Sequence, residues 1–356
     1  MLKKLSERVH DYDSNHFIND LADASRSLGI LEAKINSYQF NSIILPVLHK
    51  KEAISSMYIE GTQTTISDVF ENEVSPKNRE DKIMLEISNH TNALSYGADY
   101  LRYEGFTHRF IQKLHKIMLT GISEGKETEL GKYKTADNRI VNSAGKVVFI
   151  PPSYTATKKY MDELISYMND VTDGIHPLVK AAIIHSQFES IHPFSDGNGR
   201  VGRLLVSLYL YKSHTINFPF FYISEAISQD KTVYYSMLTN SRTNSYDEWI
   251  KYFLKKIQIQ TAKHIAYIDE LNKLFLQTKA TIRSKINSTK YDALIECLFT
   301  QPVLTASYIE DKLSVSHGQA VRYLKVLEQE HILLGDDKKR NRKYYFSGLL
   351  DLIQTM

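Results

Sequence analysis

The densest chemistry in the chain lies in the twelve positions from His192 to Arg203, HPFSDGNGRVGR. Each residue type there suits a nucleoside triphosphate. Asp196 offers hard oxygens to a divalent cation. Gly197 and Gly199 lack a Cβ, so the main chain can approach a ligand closely or take positive φ. Val201, Leu204, Leu205 and Leu208 recur at helical spacing, so the glycine turn should open a helix. A helix N-terminus with free N–H groups is an anion site. Arg200 and Arg203, three apart, share a face and can grip one phosphate chain. His192, just ahead of the turn, is the natural proton acceptor, and Phe194 reads as a buried plug. A metal reading also exists, with His185, Glu189 and His192 spaced i, i+4, i+7 along one helix face. It leaves the Asp-Gly-Asn-Gly-Arg run unexplained.

Several elements must hold this stretch. The run Pro177–Ser190 is apolar nearly all round, which predicts a central buried helix that delivers His192. Val201–Lys212 should be the helix packed against it. Tyr154–Asn169, Thr107–Leu119 (capped by Thr107) and Lys82–Tyr100 read as further helices. Pro46 suits a first helical turn, so a helix is expected from about 47 to about 60, with Gly61 as its stop. Ser56 and Glu60 project from one face of it. Residues 1–40 read as a polar packing arm, and 62–80 as a loop with a short helical piece. Between Gly131 and Ser153 the character changes. Val141, Val147, Val148 and Phe149 are β formers, Asn142–Gly145 is a turn cluster, and Pro151-Pro152 ends the strand. A β-hairpin follows from that pattern. Residues 251–288 predict one or two Lys-rich helices acting as a connector. From Tyr291 three short helices are followed by two strands flanking a basic turn, Lys338–Lys343, the outline of a winged helix.

Composition bounds the function. The 356 residues allow two or three domains. A net charge of +3 is too small to argue for nucleic acid by itself. Residues 289–356 carry nine basic and nine acidic side chains, so DNA binding through them is an open reading and not the favoured one. The single cysteine, Cys297, excludes an intrachain disulfide and suits a reducing cytoplasm. The start, MLKKLSERVH, lacks the apolar core of a signal peptide. No apolar run approaches the ~18 residues of a membrane span, so no membrane partner is expected.

HPFSDGNGRVGR resembles the signature of the Fic family, His-Pro-Phe-x-Asp/Glu-Gly-Asn-Gly-Arg-x-x-Arg, at every fixed position. Ser56–Gly61, SMYIEG, resembles the family's inhibitory motif, Ser/Thr-x-x-x-Glu-Gly/Asn, in which the glutamate reaches the signature's second arginine. The hairpin before Pro151-Pro152 resembles the family's flap. The resemblance spans about 40–260 and implies a mainly α-helical protein: a Fic-type helical bundle with a β-hairpin flap, followed here by a small winged helix-turn-helix domain. The boundaries that follow are 1–85 for an N-terminal region with the inhibitory helix, 86–255 for the catalytic core, 256–288 for the connector and 289–356 for the winged helix. The implied activity is protein adenylyltransfer: AMP passes from ATP to a Tyr, Thr or Ser hydroxyl of a target protein, with Mg²⁺. On that reading His192 is the base and Asp196 the metal ligand. Asn198, Arg200 and the main chain of Gly197 and Gly199 hold the α- and β-phosphates, and Arg203 takes the γ-phosphate. Glu60, with Ser56 and Gly61, inhibits, while Val147, Val148 and Phe149 dock the target. Tyr234 and Tyr235 stand where the family has an adenine-bordering pair; Asn240 is near, but out of register with, a family asparagine. Removal of AMP, or a nucleotide-sensing DNA-binding regulator, are the alternatives, and a homodimer is left open.

Overall fold

The computed structural model describes residues 2–37, 41–74, 81–122, 127–141, 145–219, 221–338 and 340–355. The helices, in order, are α1 (Ile18–Ser37), α2 (Asn41–Ile59), α3 (Ile66–Val74), α4 (Lys82–Leu101) and α5 (His108–Leu119). Strands β1 (Ile140–Val141) and β2 (Val147–Phe149) precede α6 (Tyr154–Asn169), α7 (Pro177–Ile191) and α8 (Asn198–Lys212). Then come α9 (Ser224–Ser228), α10 (Lys231–Ser241), α11 (Asp247–Lys285) and α12 (Tyr291–Thr300). β3 (Val303–Leu304), α13 (Ala306–Leu313), α14 (His317–Gln329), β4 (Leu334–Gly335), β5 (Tyr344–Tyr345) and α15 (Ser347–Thr355) complete the chain. The chain divides into two compact units, neither of them continuous in sequence. The first comprises 1–32, 55–62 and 85–261, and the second 33–54, 63–84 and 262–356. The N-terminal region expected as one piece, 1–85, is therefore shared between the two.

The first unit is built around α7. Every residue from Leu178 to Ile191 is buried, Lys180, His185, Gln187 and Glu189 included, as a helix apolar on nearly all its faces requires. Its start is fixed by Pro177 in the first turn and by His176, whose Nδ1 accepts from Leu178 N–H at 3.2 Å. α8 packs along α7 and is itself buried from Val201 to Leu210. α5 begins where Thr107 predicts, its hydroxyl accepting from Phe110 N–H at 3.1 Å. In α1 the buried residues are Ala24, Leu28, Leu31 and Ile35, one stripe at helical spacing, so this part of the polar packing arm is an amphipathic helix. Ile30 is exposed.

In the second unit β3, β5 and β4 form an antiparallel sheet in that order beside α12–α14. The three short helices and two strands expected here are present with one strand more, because Val303-Leu304 pairs with Tyr344-Tyr345. Two of the wing's bases are spent on carboxylates of the same unit. Arg342 pairs with Glu328 at 2.7 Å, and Lys343 with Glu71 at 2.9 Å. α11 is a single helix of 39 residues; no glycine or proline interrupts it.

The helix carrying Glu60 starts earlier than expected. Pro46 sits inside α2 rather than in its first turn, at the cost of one main-chain hydrogen bond. Its end is as the glycine predicts. Gly61 N–H donates to Tyr58 O and Thr62 N–H to Met57 O, both 3.1 Å, with Gly61 at φ 100°. That pair of bonds is a Schellman closure, and it makes Glu60 the C-cap residue.

Candidate active site

The loop from Ile191 to Asn198 is held almost entirely by its carbonyls. Ile191 O accepts from Lys134 Nζ at 3.3 Å, His192 O from Asn138 Nδ2 at 3.1 Å, and Pro193 O from Lys134 N–H at 2.8 Å. Phe194 O accepts from Asn138 Nδ2 at 3.0 Å and Asn198 Nδ2 at 2.8 Å, and Asp196 O from His115 Nε2 at 3.1 Å. With its acceptors tied back, the loop opens α8 at Gly197, whose φ is 72°. A side chain there would be strained, and its Cβ would come 2.8 Å from Leu119 Cδ1. No side chain caps this end of α8, so its first-turn N–H groups have no side-chain acceptor, the arrangement that suits an anion.

Phe194 is the plug it promised to be. It is fully buried and stacks on the His115 ring at 3.9 Å with 10° between planes. Burying a phenylalanine contributes about 1.5–3 kcal/mol. His115 Nδ1 accepts from Gly131 N–H at 3.0 Å, so the proton must sit on the Nε2 that donates to Asp196 O. Burial, chiefly, pushes this histidine down to about 4, consistent with a neutral ring.

His192 leaves α7 in the left-handed region, at φ 48° and ψ 61°. A non-glycine residue rarely takes that conformation without a reason. Its Nδ1 lies 3.3 Å from Glu189 O. A carbonyl can only accept, so Nδ1 is the donor and Nε2 carries the free lone pair. Burial first, then the nearby charges of Lys134 and Arg242, push His192 down to about 4. The ring is therefore neutral at pH 7 and able to take a proton.

Arg203 and Glu60 meet. Arg203 is 2% exposed. Its Nη2 donates to Glu60 Oε1 at 2.7 Å and Ser56 O at 3.0 Å, and its Nε donates to Ser56 Oγ at 3.0 Å. Burial, the largest single influence, would lower the guanidinium's pKa; Glu60, together with Tyr234 and Glu189, outweighs it and raises it. Gly199 makes room for this pair, since a Cβ there would collide with Glu60 Oε1 and approach Arg203 Nη1 to 2.9 Å. The Glu60 carboxylate thus lies beside the first turn of α8, against Gly199. Arg200 points elsewhere, 3.6 Å from Asp196 Oδ1 and 3.9 Å from Glu86 Oε2.

Three expected roles change. Asn198 is 2% exposed, and its carboxamide is spent on the loop, accepting from Phe194 N–H and donating to Phe194 O, both at 2.8 Å. Its side chain shapes the phosphate loop and is not free to bind phosphate. Tyr234 is 1% exposed, with its hydroxyl 2.8 Å from His185 Nε2, so it belongs to the core and offers no face to a base. Tyr235, 46% exposed and 5.2 Å away centroid to centroid, does. Asn240 is exposed and accepts from Asn244 Nδ2 at 2.7 Å. The metal reading of His185, Glu189 and His192 fails, because His185 is turned to Tyr234 and His192 leaves the helix. Among the described residues no group of three His, Cys, Asp or Glu could hold a metal ion. Asp196 remains as a lone, half-exposed carboxylate, with Oδ1 held by Gly197 N–H at 2.6 Å. One carboxylate completed by phosphate oxygens and water is how magnesium is usually held, so Asp196 fits that ion.

The flap is a short hairpin, Ile140 facing Phe149 and Val141 facing Val147. Most of its turn, 142–144, lies outside the described residues. Val147 and Val148 are exposed, whereas Phe149 lies under the Arg242 guanidinium, 4.2 Å from it. Arg242 Nε donates to Ser190 Oγ at 3.3 Å, which links the flap to α7. Sequence reading missed Arg242, Lys134, Asn138 and His115. Their partners are main-chain carbonyls or rings some fifty or more residues away, which no local spacing reveals.

The Fic/DOC family model matches residues 105–210, and the model for the Fic/DOC family N-terminal region matches 18–99. The likeness therefore starts at α1, earlier than the motifs suggested. A relative named "Probable protein adenylyltransferase aq_aa38", from Aquifex aeolicus (strain VF5), is 24% identical over 313 residues, 83% of this chain and 92% of that protein. Protein adenylyltransferase fic-1 of Caenorhabditis elegans is 25% identical over 156 residues, 44% of this chain and 28% of that protein. The match thus spans under a third of the nematode protein. A Fic family protein from Desulfovibrio desulfuricans G20 shares the fold with a TM-score of 0.61 at 18% identity, over 94% of this chain and 97% of that one. Fic-1 from C. elegans does so at 0.55 and 19% identity, over 71% and 74%.

Proposed function

The chain belongs to the Fic/DOC family, and on that premise we propose that it is a protein adenylyltransferase restrained by its own Glu60. The observation that carries the reading is the anion site at the start of α8. Beside it the Glu60 carboxylate sits on Arg203, and the free Nε2 of a neutral His192 belongs to the same loop.

In the reaction, a hydroxyl oxygen of the target attacks the α-phosphorus of ATP. Its proton passes to His192 Nε2. The bond from the α-phosphorus to the bridging oxygen breaks, and pyrophosphate leaves. The first-turn amides of α8 and Arg200 stabilise charge on the α- and β-phosphates. Arg203 takes the γ-phosphate once Glu60 withdraws. Asn198, Asn138, Lys134 and His115 act indirectly, by fixing the loop that carries these groups. Magnesium, held by Asp196, would neutralise phosphate charge and orient the chain. Tyr235 supplies the exposed ring at the adenine end. The target segment adds as a strand along the flap at Val147–Phe149, with Phe149 held against the Arg242 guanidinium. Tyr, Thr and Ser hydroxyls all fit this chemistry.

The test uses two labels. With ATP labelled at the α-phosphorus, protein acceptors in a lysate should become labelled by the full chain and not by His192→Ala. With the label at the γ-phosphorus they should not. Labelling from the γ-position would instead identify phosphoryl transfer and overturn the proposal.

A further inference from the structure

Glu60 is the tip of a helical hairpin, and both stems of that hairpin belong to the second unit. Residues 33–54 and 63–84 flank the inhibitory turn in sequence and fold with 262–356, while 55–62 fold with the first unit. The turn has little slack. Gly61 and Thr62 close α2 by main-chain bonds. Thr65 and Asp68 then form a reciprocal cap: Asp68 N–H donates to Thr65 Oγ1 at 3.1 Å and Thr65 N–H to Asp68 Oδ2 at 3.2 Å. α3 therefore begins six residues after Glu60.

The second unit grips these stems with buried polar contacts as well as apolar ones. Val69 and Phe70 of α3 are buried. Gln301, 2% exposed, donates from Nε2 to Phe70 O at 2.8 Å. Lys343, 8% exposed and adjoining β5, pairs with Glu71 at 2.9 Å. On α2, Lys51 Nζ donates to Ile353 O at 2.8 Å, and Lys50 Nζ joins Glu73 at 2.8 Å, tying α2 to α3. With Lys343 buried and Glu71 half-buried, the pair is costly to break one-sidedly, because the remaining charge is left poorly solvated and unpaired.

We infer that Gln301 and the Lys343–Glu71 pair are positioning residues for Glu60, so that the winged-helix module sets how firmly the adenylyltransferase is restrained. The inference rests on the proposed function, in which Arg203 seats the γ-phosphate. Its physical content is a linkage: the turn 55–62 that seats Glu60 is covalently continuous with both stems, so loosening α3 lowers the cost of that turn leaving Arg203. Coupling of this kind is reciprocal, so whatever the module binds with preference for a loosened α3 would activate the enzyme.

The test is a charge swap in the full chain, read by AMP incorporation from α-labelled ATP. Lys343→Glu and Glu71→Lys should each raise the initial rate about fivefold or more. The double variant should return it toward wild type. In a Glu60→Gly background none of these changes should raise the rate further. Hydrogen exchange at the Gly61 and Thr62 amides should quicken in the single variants and slow again in the swap, and Lys343→Gln gives a milder probe if the reversals do not fold. If Glu60→Gly raises the rate while Lys343→Glu, folded, leaves both rate and exchange at wild type, this inference is overturned and the proposed function stands. A rise that persists in the Glu60→Gly background also overturns it. If Glu60→Gly itself gives no rise, inhibition and this inference fall together.

Discussion

Asn138→Ala is the sharpest test of the idea that the loop works because its carbonyls are tied back. The side chain donates to His192 O at 3.1 Å and Phe194 O at 3.0 Å, and accepts from Lys134 Nζ at 2.7 Å. Phe194 O keeps a second donor, Asn198 Nδ2, and Lys134 keeps Ile191 O. His192 O loses the donor described for it. Three net hydrogen bonds at about 1 kcal/mol each, plus part of the penalty for one orphaned carbonyl, give about 3–4 kcal/mol. The loss falls on the carbonyl of His192, the proposed base, so it should appear mainly as misplacement of the imidazole. A misplacement of that size costs up to ~10²-fold in rate. In a Glu60→Gly background, where the rate is easiest to read, we expect a ~10–100-fold fall in AMP incorporation with ATP affinity changed far less. Thermal melting should drop by several degrees. A folded Asn138→Ala enzyme that retains the parent rate would refute the argument that this brace positions His192.

Other outcomes follow from the same geometry. Val148→Pro removes a main-chain donor from the flap edge and should raise the apparent KM for a protein acceptor about tenfold or more while leaving ATP binding nearly unchanged; equal loss of both would mean misfolding. Gly61→Ala forces a side chain into φ 100° with nothing nearby to clash. It should cost about 1–2 kcal/mol in the helix end and raise AMP incorporation part of the way to the Glu60→Gly level; a rate at or below wild type would speak against the turn's role. Stability should depend on acid through the buried histidines. His49, His115 and His192 are each pushed from 6.5 to about 4, with burial the first cause. The unfolded chain therefore binds more protons than the folded one between those values, and stability falls as pH drops through that window. Melting followed from pH 7 to 4 should show this, and a flat profile would contradict the neutral buried rings.

Much of the site could be read in advance because its determinants are local. Glycines at a loop-to-helix junction, an arginine three residues on, and a threonine ahead of an apolar helix state their geometry within a few positions. α6 and α7 begin and end within a residue of where the apolar pattern puts them. What escaped is set by tertiary contact. Asn198 looks like a ligand by type and is a brace by placement. Tyr234 and Tyr235 are equivalent as letters, and only packing on His185 and Trp249 separates the buried ring from the exposed one. Pro46 reads as a helix start, yet packing of Ile43 and Val47 carries the helix through it. The grip of Gln301 on Phe70 spans 231 residues, beyond the reach of any periodicity.

The central claim is that a working adenylyltransferase is held back by one carboxylate on Arg203. The most direct measurement is the initial rate of AMP incorporation by wild type and Glu60→Gly at saturating Mg-ATP, with His192→Ala as the blank. Freeing Arg203 should realign the triphosphate for in-line attack and raise the rate by ~10–100-fold, with Ser56→Ala giving a smaller rise. A Glu60→Gly rate at or below wild type, in a protein that melts as a folded one, would contradict the account.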